Sequence, residues 1–182
     1  MKHYGLIGGK LGHSLSVPIH RAIFDVLGID ADYRLIELPA EGFQQAASRL
    51  MDELDGFNVT IPYKQTILPL LSGLDGAAQE IGAVNTVDSA TRLGYNTDAP
   101  GFAAMLRHHG IDPAGQPCFV LGTGGASLAV RAALRGMGAK AVTMVSRHPA
   151  EGELDYDQLP EHFRGVLVNK NPVGMWPAVD GC

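Results

Sequence analysis

The chain has 182 residues and a formal net charge of −5; 46% of its residues are hydrophobic and 18% are charged. This composition provides enough apolar side chains for a packed core and excludes a disordered chain. The acidic balance, without a run rich in lysine and arginine, argues against a nucleic-acid-binding protein. The length allows one domain or two small ones.

Cysteine content and hydropathy predict a cytoplasmic protein without a membrane segment. The two cysteines, Cys118 and Cys182, lack the spacing of a metal site, and so few cysteines are typical of a reducing compartment. The apolar run at the N-terminus is too short for a signal peptide, and no stretch has the length of a transmembrane helix.

A pair of serines follows the first predicted strand, which covers residues 4–8. Ser14 and Ser16 lie in a glycine-bounded loop, where two hydroxyl groups two residues apart can bind one anion or polyol. The alternative is that Ser16 only caps the helix predicted over residues 17–27. His20 lies on that helix without an evident partner, and we expect a structural role for it.

The stretch 56–64, GFNVTIPYK, predicts a short strand that ends at a ligand-binding edge. Pro62 has no N–H group to donate and therefore ends the strand. Thr60 and Lys64 then fall at the carboxyl edge, where open α/β sheets bind ligands. An isolated lysine is more often a solvated surface residue, but the amide of Asn58 and the hydroxyl of Thr60 nearby favour a functional role.

Two further polar residues of the first half, Asn85 and Asp98, lie on or next to predicted elements. Asn85 lies on a strand predicted over residues 82–87. Asp98 precedes a helix predicted over residues 99–109, and capping that helix is the alternative to a functional role. The other elements predicted in this half are strands over 33–38 and 93–98 and helices over 43–54 and 77–81.

The second half contains a candidate dinucleotide loop between a buried strand over 117–121 and a helix over 128–136. Small residues allow a pyrophosphate to approach the backbone, and a helix N-terminus favours its charge. A glycine-rich loop alone is weak support, but its position between strand and helix strengthens it. The candidate contacts are Gly122, Thr123, Gly124, Gly125, Ala126 and Ser127.

The next strand, predicted over residues 141–145, ends in Ser146 and Arg147. NAD-binding proteins usually carry an acidic residue here for the ribose hydroxyls, whereas an arginine pairs with the 2′-phosphate of NADP. A solvated arginine is the alternative, and the local charge is mixed because Glu151 and Glu153 follow. A third strand over 165–169 leads into a loop that contains Met175.

Five motifs in this order resemble the shikimate dehydrogenase family, the NADP-dependent reductases of 3-dehydroshikimate. The motifs are GHSLS (12–16), GFNVTIPYK (56–64), GAVNT (82–86), GYNTD (94–98) and GTGGAS (122–127). The resemblance implies that Ser14 and Ser16 hold the substrate carboxylate. It implies that Thr60, Asn85 and Asp98 hold ring hydroxyls and that Lys64 and Asp98 form the catalytic pair. It assigns NADP binding to residues 122–127, Ser146, Arg147 and Met175.

The resemblance also implies an α/β fold with an N-terminal substrate-binding α/β domain over 1–99 and a partial Rossmann-type, doubly wound NADP-binding domain over 100–182. The implied reaction is the reversible reduction of 3-dehydroshikimate to shikimate in chorismate and aromatic amino acid biosynthesis. Lys64 is expected to act as a charged proton donor in the reduction direction, with its resting state open. The expected partner is a small-molecule substrate, without nucleic acid or membrane, and a homodimer stays open.

The chain departs from the family pattern at Val17, where proline is usual, and at Lys170 and Asn171, where small residues are usual. It also ends about one hundred residues before the family does, a length consistent with a missing part of the second domain. We therefore expect an apparently C-terminally truncated member whose strand over 118–121 has one open edge. Such a chain would be oligomeric or prone to aggregation and have little activity.

Three alternatives to this function stay open. The first is a catalytically silent, truncated shikimate-binding fragment. The second is a quinate/shikimate dehydrogenase that uses NAD, which Arg147 disfavours. The third is a methylenetetrahydrofolate dehydrogenase, which has a similar two-lobe layout but which the paired serines and the NTD motif at 96–98 disfavour.

Overall fold

The computed structural model describes residues 1–159 and 164–170. It divides the chain into two compact units, Met1–Thr97 and Asp98–Cys182. Both units combine helices with a sheet that contains parallel strand pairs, which confirms the predicted α/β class. In the described part of the chain, no helix is both long enough and apolar enough to cross a membrane. Asn171 and Met175 lie outside the described residues.

The first unit is built on a mixed sheet with the strand order β2-β1-β3-β5-β6-β4. β1 pairs in parallel with β2 and β3, and β5 is antiparallel to β3 and β6. The strands are β1 (Lys2–Gly8), β2 (Ala31–Glu37), β3 (Gly56–Val59), β4 (Gly73–Leu74), β5 (Thr86–Asp88) and β6 (Leu93–Tyr95). The helices are α1 (Ser16–Leu27), α2 (Phe43–Glu53) and α3 (Gly76–Ile81).

Helices α1 and α2 cover opposite faces of this sheet, as the alternation of side chains along β1 shows. Ile7 belongs to a buried cluster that includes residues of α2, whereas its neighbour Leu6 packs with Phe24 of α1 and Tyr33 of β2. Successive side chains of a strand point to opposite faces. Asn58 is therefore on the α1 face, because Phe57 and Val59 on either side of it belong to the α2 cluster.

The second unit contains a parallel three-stranded sheet with the order β8-β7-β9. Cys118 and Val120 of β7 pack with Val130 and Leu134 of α5 in its buried cluster. The described elements are α4 (Asp98–His108), β7 (Pro117–Leu121), α5 (Gly125–Gly136), β8 (Ala141–Val145) and β9 (Val166–Asn169).

The expectation that β7 has an open edge is wrong, because β9 pairs with β7 from Cys118↔Val166 to Leu121↔Asn169. Gly165 permits this pairing. Its φ is +149°, and a Cβ atom there would lie 2.1 Å from the carbonyl oxygen of Pro117. With β8 on its other side, β7 has the two neighbours of a strand at the switch point of a doubly wound sheet. This pairing excludes an open edge of β7 as a cause of aggregation.

Several element boundaries differ from the sequence prediction for local reasons. Gly82 ends α3 in the left-handed conformation, with φ of 70°, so the following strand begins only at Thr86 and Asn85 precedes it. Gly124 is the extended N-terminal cap of α5, which therefore begins three residues earlier than predicted. Asp98 is the first residue of α4 rather than the residue before it.

Candidate functional site

The serine pair lies where the loop after β1 enters α1. Ser14 Oγ donates a hydrogen bond to Ser16 Oγ at 3.0 Å and accepts one from the backbone N–H of Ser16 at 3.2 Å. The N-terminal cap position is Leu15, and no side chain caps this helix. The alternative that Ser16 serves only as a helix cap is therefore wrong. The two hydroxyl groups form one polar surface at the carboxyl end of β1.

His20 and Tyr33 lie behind this pair. One turn along α1, His20 Nδ1 contacts the backbone carbonyl oxygen of Ser16 at 2.8 Å, which fits an N–H donor at this nitrogen. The His20 ring stacks on the ring of Tyr33, with centroids 3.9 Å apart and planes 12° from parallel. The side chain of Ser16 also interacts with the Tyr33 phenol. The expectation of a structural role for His20 without a partner thus missed both of these contacts.

Tyr33 connects the serine pair to Asn58 on β3 in the interior of the sheet. Its hydroxyl donates to Asn58 Oδ1 at 2.7 Å. Only 3% of the Tyr33 surface is exposed, and this burial raises the pKa of the Tyr33 phenol well above its usual value, with the Ser16 hydrogen bond acting in the opposite direction. The phenol therefore stays neutral at physiological pH and keeps its proton for donation.

Strand register brings Asn58 next to the residues that hold Asn85. Asn58 on β3 is paired with Thr86 on antiparallel β5, which places their side chains on the same face. Asn58 Nδ2 donates to Thr86 Oγ1 at 3.0 Å and to the Asn85 carbonyl oxygen at 3.2 Å. Thr86 Oγ1 donates to Asn85 Oδ1 at 3.0 Å, and the backbone N–H of Thr97 donates to the same oxygen at 3.0 Å. Asn85 itself is buried, with 8% exposed.

Thr60 and Lys64 are positioned by the turn after β3. The backbone N–H of Thr60 donates to the carbonyl oxygen of Ile7 at 2.9 Å, so Thr60 extends the pairing with β1 beyond β3. The carbonyl oxygen of Lys64 accepts from the N–H of Val84 at 2.8 Å, next to Asn85. A Cβ atom at Gly8 would lie 2.6 Å from Leu11 Cδ2 and 2.7 Å from Thr60 Cγ2, so a side chain at this position would displace one of the two. The turn thus ends at the carboxyl edge, as predicted.

These contacts join Ser14, Ser16 and Asn85 through one set of side chains in the first unit. We call this set the polar network; it consists of Ser14, Ser16, Tyr33, Asn58, Thr86 and Asn85. Asp98 begins α4 as the first residue of the second unit, where a carboxylate interacts favourably with the helix dipole. The pairing of Lys64 with Asp98 stays a prediction.

A cavity of about 490 Å³ lies on the α1 face, with Tyr33, Asn58 and Thr86 of the polar network in its wall. Aromatic residues such as Phe24 and Tyr95 form much of the rest. None of the six residues predicted to bind substrate lines this cavity. This cavity is therefore separate from the residues predicted to bind substrate.

The predicted dinucleotide loop fits a bound pyrophosphate. The loop leaves β7 at Gly122, whose φ is 106°, and turns into α5 at Gly125. A Cβ atom at Gly124 or Gly125 would meet no protein atom within 4 Å, so the space beside the loop is open to a ligand. The first N–H groups of a helix lack partners within the helix and can bind an anion.

Ser127 differs from the rest of that loop because it is buried, with 1% exposed. It stands where the dinucleotide fingerprint has its third glycine, the position of close packing between helix and strand. Its backbone N–H donates to the carbonyl oxygen of Gly124 at 2.8 Å. Thr123 and Gly124 are exposed or half-buried like the other loop residues, Gly122, Gly125 and Ala126.

Ser146 and Arg147 follow β8, which lies beside β7 in the sheet. Arg147 is exposed, and Ser146 Oγ accepts a hydrogen bond from the backbone N–H of His148 at 3.2 Å. Glu153 accepts from the N–H of Ala150 at 3.0 Å, so one nearby carboxylate is engaged by its own turn. An exposed guanidinium at this strand end suits the 2′-phosphate of NADP.

Sequence reasoning missed His20, Tyr33, Thr86 and Thr97 as parts of the site. For His20 a signal existed, since it lies four residues after Ser16 and therefore above it on the same helix face. Tyr33 contacts Asn58 across 25 positions of sequence. The pattern of β2 gives no sign of that partner.

Relatives with similar sequences cover almost the whole chain. Residues 6–87 match the family model described as the shikimate dehydrogenase substrate binding domain. The NADP(+)-dependent shikimate dehydrogenase of Clostridium beijerinckii is 38% identical over 99% of this chain and 71% of its own length. The chain belongs to the shikimate dehydrogenase family.

Solved structures of the shikimate dehydrogenase family have the same fold. A chorismate mutase/shikimate 5-dehydrogenase fusion protein from Clostridium acetobutylicum superposes with a TM-score of 0.93 at 36% identity, covering 100% of this chain and 71% of that one. The shikimate 5-dehydrogenase of Thermus thermophilus, in complex with NADP(H) and shikimate, has a TM-score of 0.86 at 34% identity, covering 96% and 70%. The chain spans about 70% of these relatives.

Proposed function

We propose that this protein catalyses the NADP-dependent, reversible reduction of 3-dehydroshikimate to shikimate, a step of chorismate and aromatic amino acid biosynthesis. The observation that carries the proposal is the polar network at the carboxyl edge of the first sheet. It joins Ser14 and Ser16 to Asn85 within the segment that matches the substrate-binding domain of the family. Residues 1–99 would form the substrate-binding and catalytic domain and residues 100–182 the partial NADP-binding domain.

Substrate binding is assigned to hydroxyl, amide and carboxylate side chains that suit a polyhydroxy acid. Ser14 and Ser16 present two hydroxyl groups 3.0 Å apart, a spacing at which both can donate to one carboxylate. Ring hydroxyls would be bound by Thr60, Asn85 and Asp98. These groups both donate and accept hydrogen bonds, except the carboxylate of Asp98, which accepts.

Proton transfer is assigned to Lys64 with Asp98. When bound, NADPH would supply the hydride that reduces the ketone carbon. The ammonium group of Lys64 would then donate a proton to the ketone oxygen as negative charge develops there. In the reverse direction, the neutral amine would take the proton of the shikimate hydroxyl. Asp98 would orient Lys64 and accept from a ring hydroxyl.

NADP binding is assigned to the loop after β7 and to the end of β8. Residues 122–127 would hold the pyrophosphate, with their backbone N–H groups at the start of α5. Ser146 and Arg147 would bind the 2′-phosphate, and Arg147 would carry the preference for NADP over NAD. Met175 is proposed beside the nicotinamide; it lies outside the described residues.

A cytoplasmic location and a homodimer are further parts of this proposal. The low cysteine content supports the location. Apolar side chains that α1 exposes, such as Ile19 and Val26 with 52% and 85% exposed, support self-association. Sedimentation equilibrium of the purified chain would test the dimer.

Ligand titration of the purified chain tests the assignment of substrate and cofactor. We expect shikimate to bind in isothermal titration calorimetry and NADP to bind more tightly than NAD. Ser14→Ala should weaken shikimate binding and leave NADP binding unchanged. A chain that bound neither shikimate nor NADP would contradict the proposal.

A further inference from the structure

We propose that Tyr33 is a positioning residue: it couples the serine pair to Asn85 and so holds both ends of the substrate site in one hydrogen-bonded frame. This inference rests on the proposed function. Tyr33 comes from β2, outside all five motifs that carry the family resemblance. It reaches the site only through its phenol group.

Within the polar network, the phenol links the serine pair to Asn58, through which the network continues to Thr86 and Asn85. Its oxygen interacts with the side chain of Ser16, and its hydroxyl donates to Asn58 Oδ1 at 2.7 Å. Stacking on His20 at 3.9 Å fixes the ring, and His20 is itself held by the carbonyl oxygen of Ser16. The position of the phenol oxygen is thus set by contacts to β3 and to α1.

On the Asn58 side, the phenol determines which way two amides face. Because Tyr33 donates to Asn58 Oδ1, the amino group of Asn58 points to β5 and donates to Thr86 Oγ1. Thr86 can then donate to Asn85 Oδ1, where the N–H of Thr97 also donates. The orientation of the Asn85 amide is therefore supported by the N–H of Thr97 and, through Asn58 and Thr86, by the proton that Tyr33 supplies.

On the serine side, the phenol oxygen acts as an acceptor. A hydroxyl group is both donor and acceptor, so the phenol can accept from Ser16 while its own proton goes to Asn58. Ser14 in turn donates to Ser16. A phenylalanine at position 33 would keep the packing and lose both interactions of the phenol.

Tyr63 provides a matched control on the opposite face of the sheet. Like Tyr33, it is 3% exposed, and its hydroxyl donates one hydrogen bond, to the carbonyl oxygen of Leu38 at 2.6 Å. It stacks on Phe43 with the same geometry, 3.9 Å between centroids and 12° between planes. Tyr33→Phe and Tyr63→Phe thus remove the same group from equivalent packing, but only Tyr33 belongs to the polar network.

The test compares shikimate affinity, by calorimetry, with melting temperature for the two variants of the full chain. We expect both variants to lose similar thermal stability. Tyr33→Phe should weaken shikimate binding about tenfold, the effect of one well-placed hydrogen bond. Tyr63→Phe should change the affinity less than about twofold. Thr86→Val removes the donor to Asn85 at the far end of the network and should weaken binding similarly to Tyr33→Phe.

A double-mutant cycle with Ser16→Ala separates positioning from an independent effect. If Tyr33 acts partly through Ser16, the two substitutions remove the same interaction. The loss of shikimate affinity in the double variant should then be at least about threefold smaller than the product of the losses in the two single variants. Multiplicative losses in the cycle would overturn the inference, as would shikimate affinities of Tyr33→Phe and Tyr63→Phe that fall together. Should Tyr33→Phe not fold, unchanged affinity of Thr86→Val would overturn it. Absence of shikimate binding by the unmodified chain would instead refute the proposed function and the inference with it.

Discussion

Lys64 is the residue on which the proposed chemistry depends most. It follows β3 at the carboxyl edge of the sheet, and its backbone is held by Val84 beside Asn85. We predict that Lys64→Ala lowers kcat roughly 10²-fold or more with a smaller change in KM, as for a positioned acid–base group. Lys140→Ala, an exposed lysine of the second unit, is the control. A raised KM at unchanged kcat would make Lys64 a binding residue.

Arg147 is the residue expected to select the cofactor. Its exposed guanidinium at the end of β8 can pair with a 2′-phosphate, which NAD lacks. We predict that Arg147→Ala weakens NADP binding far more than NAD binding. Arg107→Ala removes the same charge from the surface of α4 and controls for general electrostatics. Equal losses for NADP and NAD in a fluorescence titration would contradict this assignment.

The buried phenol of Tyr33 should also make the free energy of unfolding depend on pH. Burial raises the pKa of its phenol in the folded state, so the folded protein holds the proton more tightly than the unfolded chain does. The resulting stability is complete below about pH 10, the pKa of an unperturbed tyrosine, and is lost as pH rises toward the folded-state pKa. Tyr33→Phe should therefore unfold with a flatter pH dependence above about pH 10. Parallel curves for the two proteins in urea would show that Tyr33 does not contribute.

At the scale of elements, the sequence predicted those helices and strands whose boundaries are set by residues within the element. The end of β3 near Pro62, the strand over 117–121 and the helix from Phe43 follow from proline chemistry and apolar periodicity. The register that pairs Asn58 with Thr86 does not, because it depends on contacts between strands distant in sequence. The same holds for β9, whose pairing with β7 could not be inferred from its own four residues.

Gly165 offers a test of the β7–β9 pairing. Alanine there would have an unfavourable φ and a Cβ atom in contact with the Pro117 carbonyl group. We predict that Gly165→Ala costs about 1–3 kcal/mol and speeds amide hydrogen exchange in β7 and β9. Gly152→Ala has a positive φ of 82° but an open space for its Cβ atom, so it isolates the backbone effect. Equal rates of amide hydrogen exchange in β7 and β9 for the two variants would contradict the pairing of β9 with β7.

At the scale of the whole molecule, the five motifs predicted the family, while composition alone predicted only a folded chain. Ser14, Ser16 and Asn85 were identified by resemblance, and the structure adds the side chains that connect them. Tyr33 and Thr86 could not be predicted, since hydrogen bonds between buried side chains leave no periodic pattern. The carboxyl edge of the first sheet could therefore be located from the sequence, whereas the hydrogen bonds that organise it could not.

The most direct measurement is the formation of reduced nicotinamide when the purified chain is mixed with shikimate and NADP. We expect turnover that requires both ligands, is slower with NAD, and falls roughly 10²-fold or more in Lys64→Ala. Binding of shikimate and NADP without any turnover would contradict the proposed dehydrogenase activity and would favour a catalytically silent shikimate-binding protein.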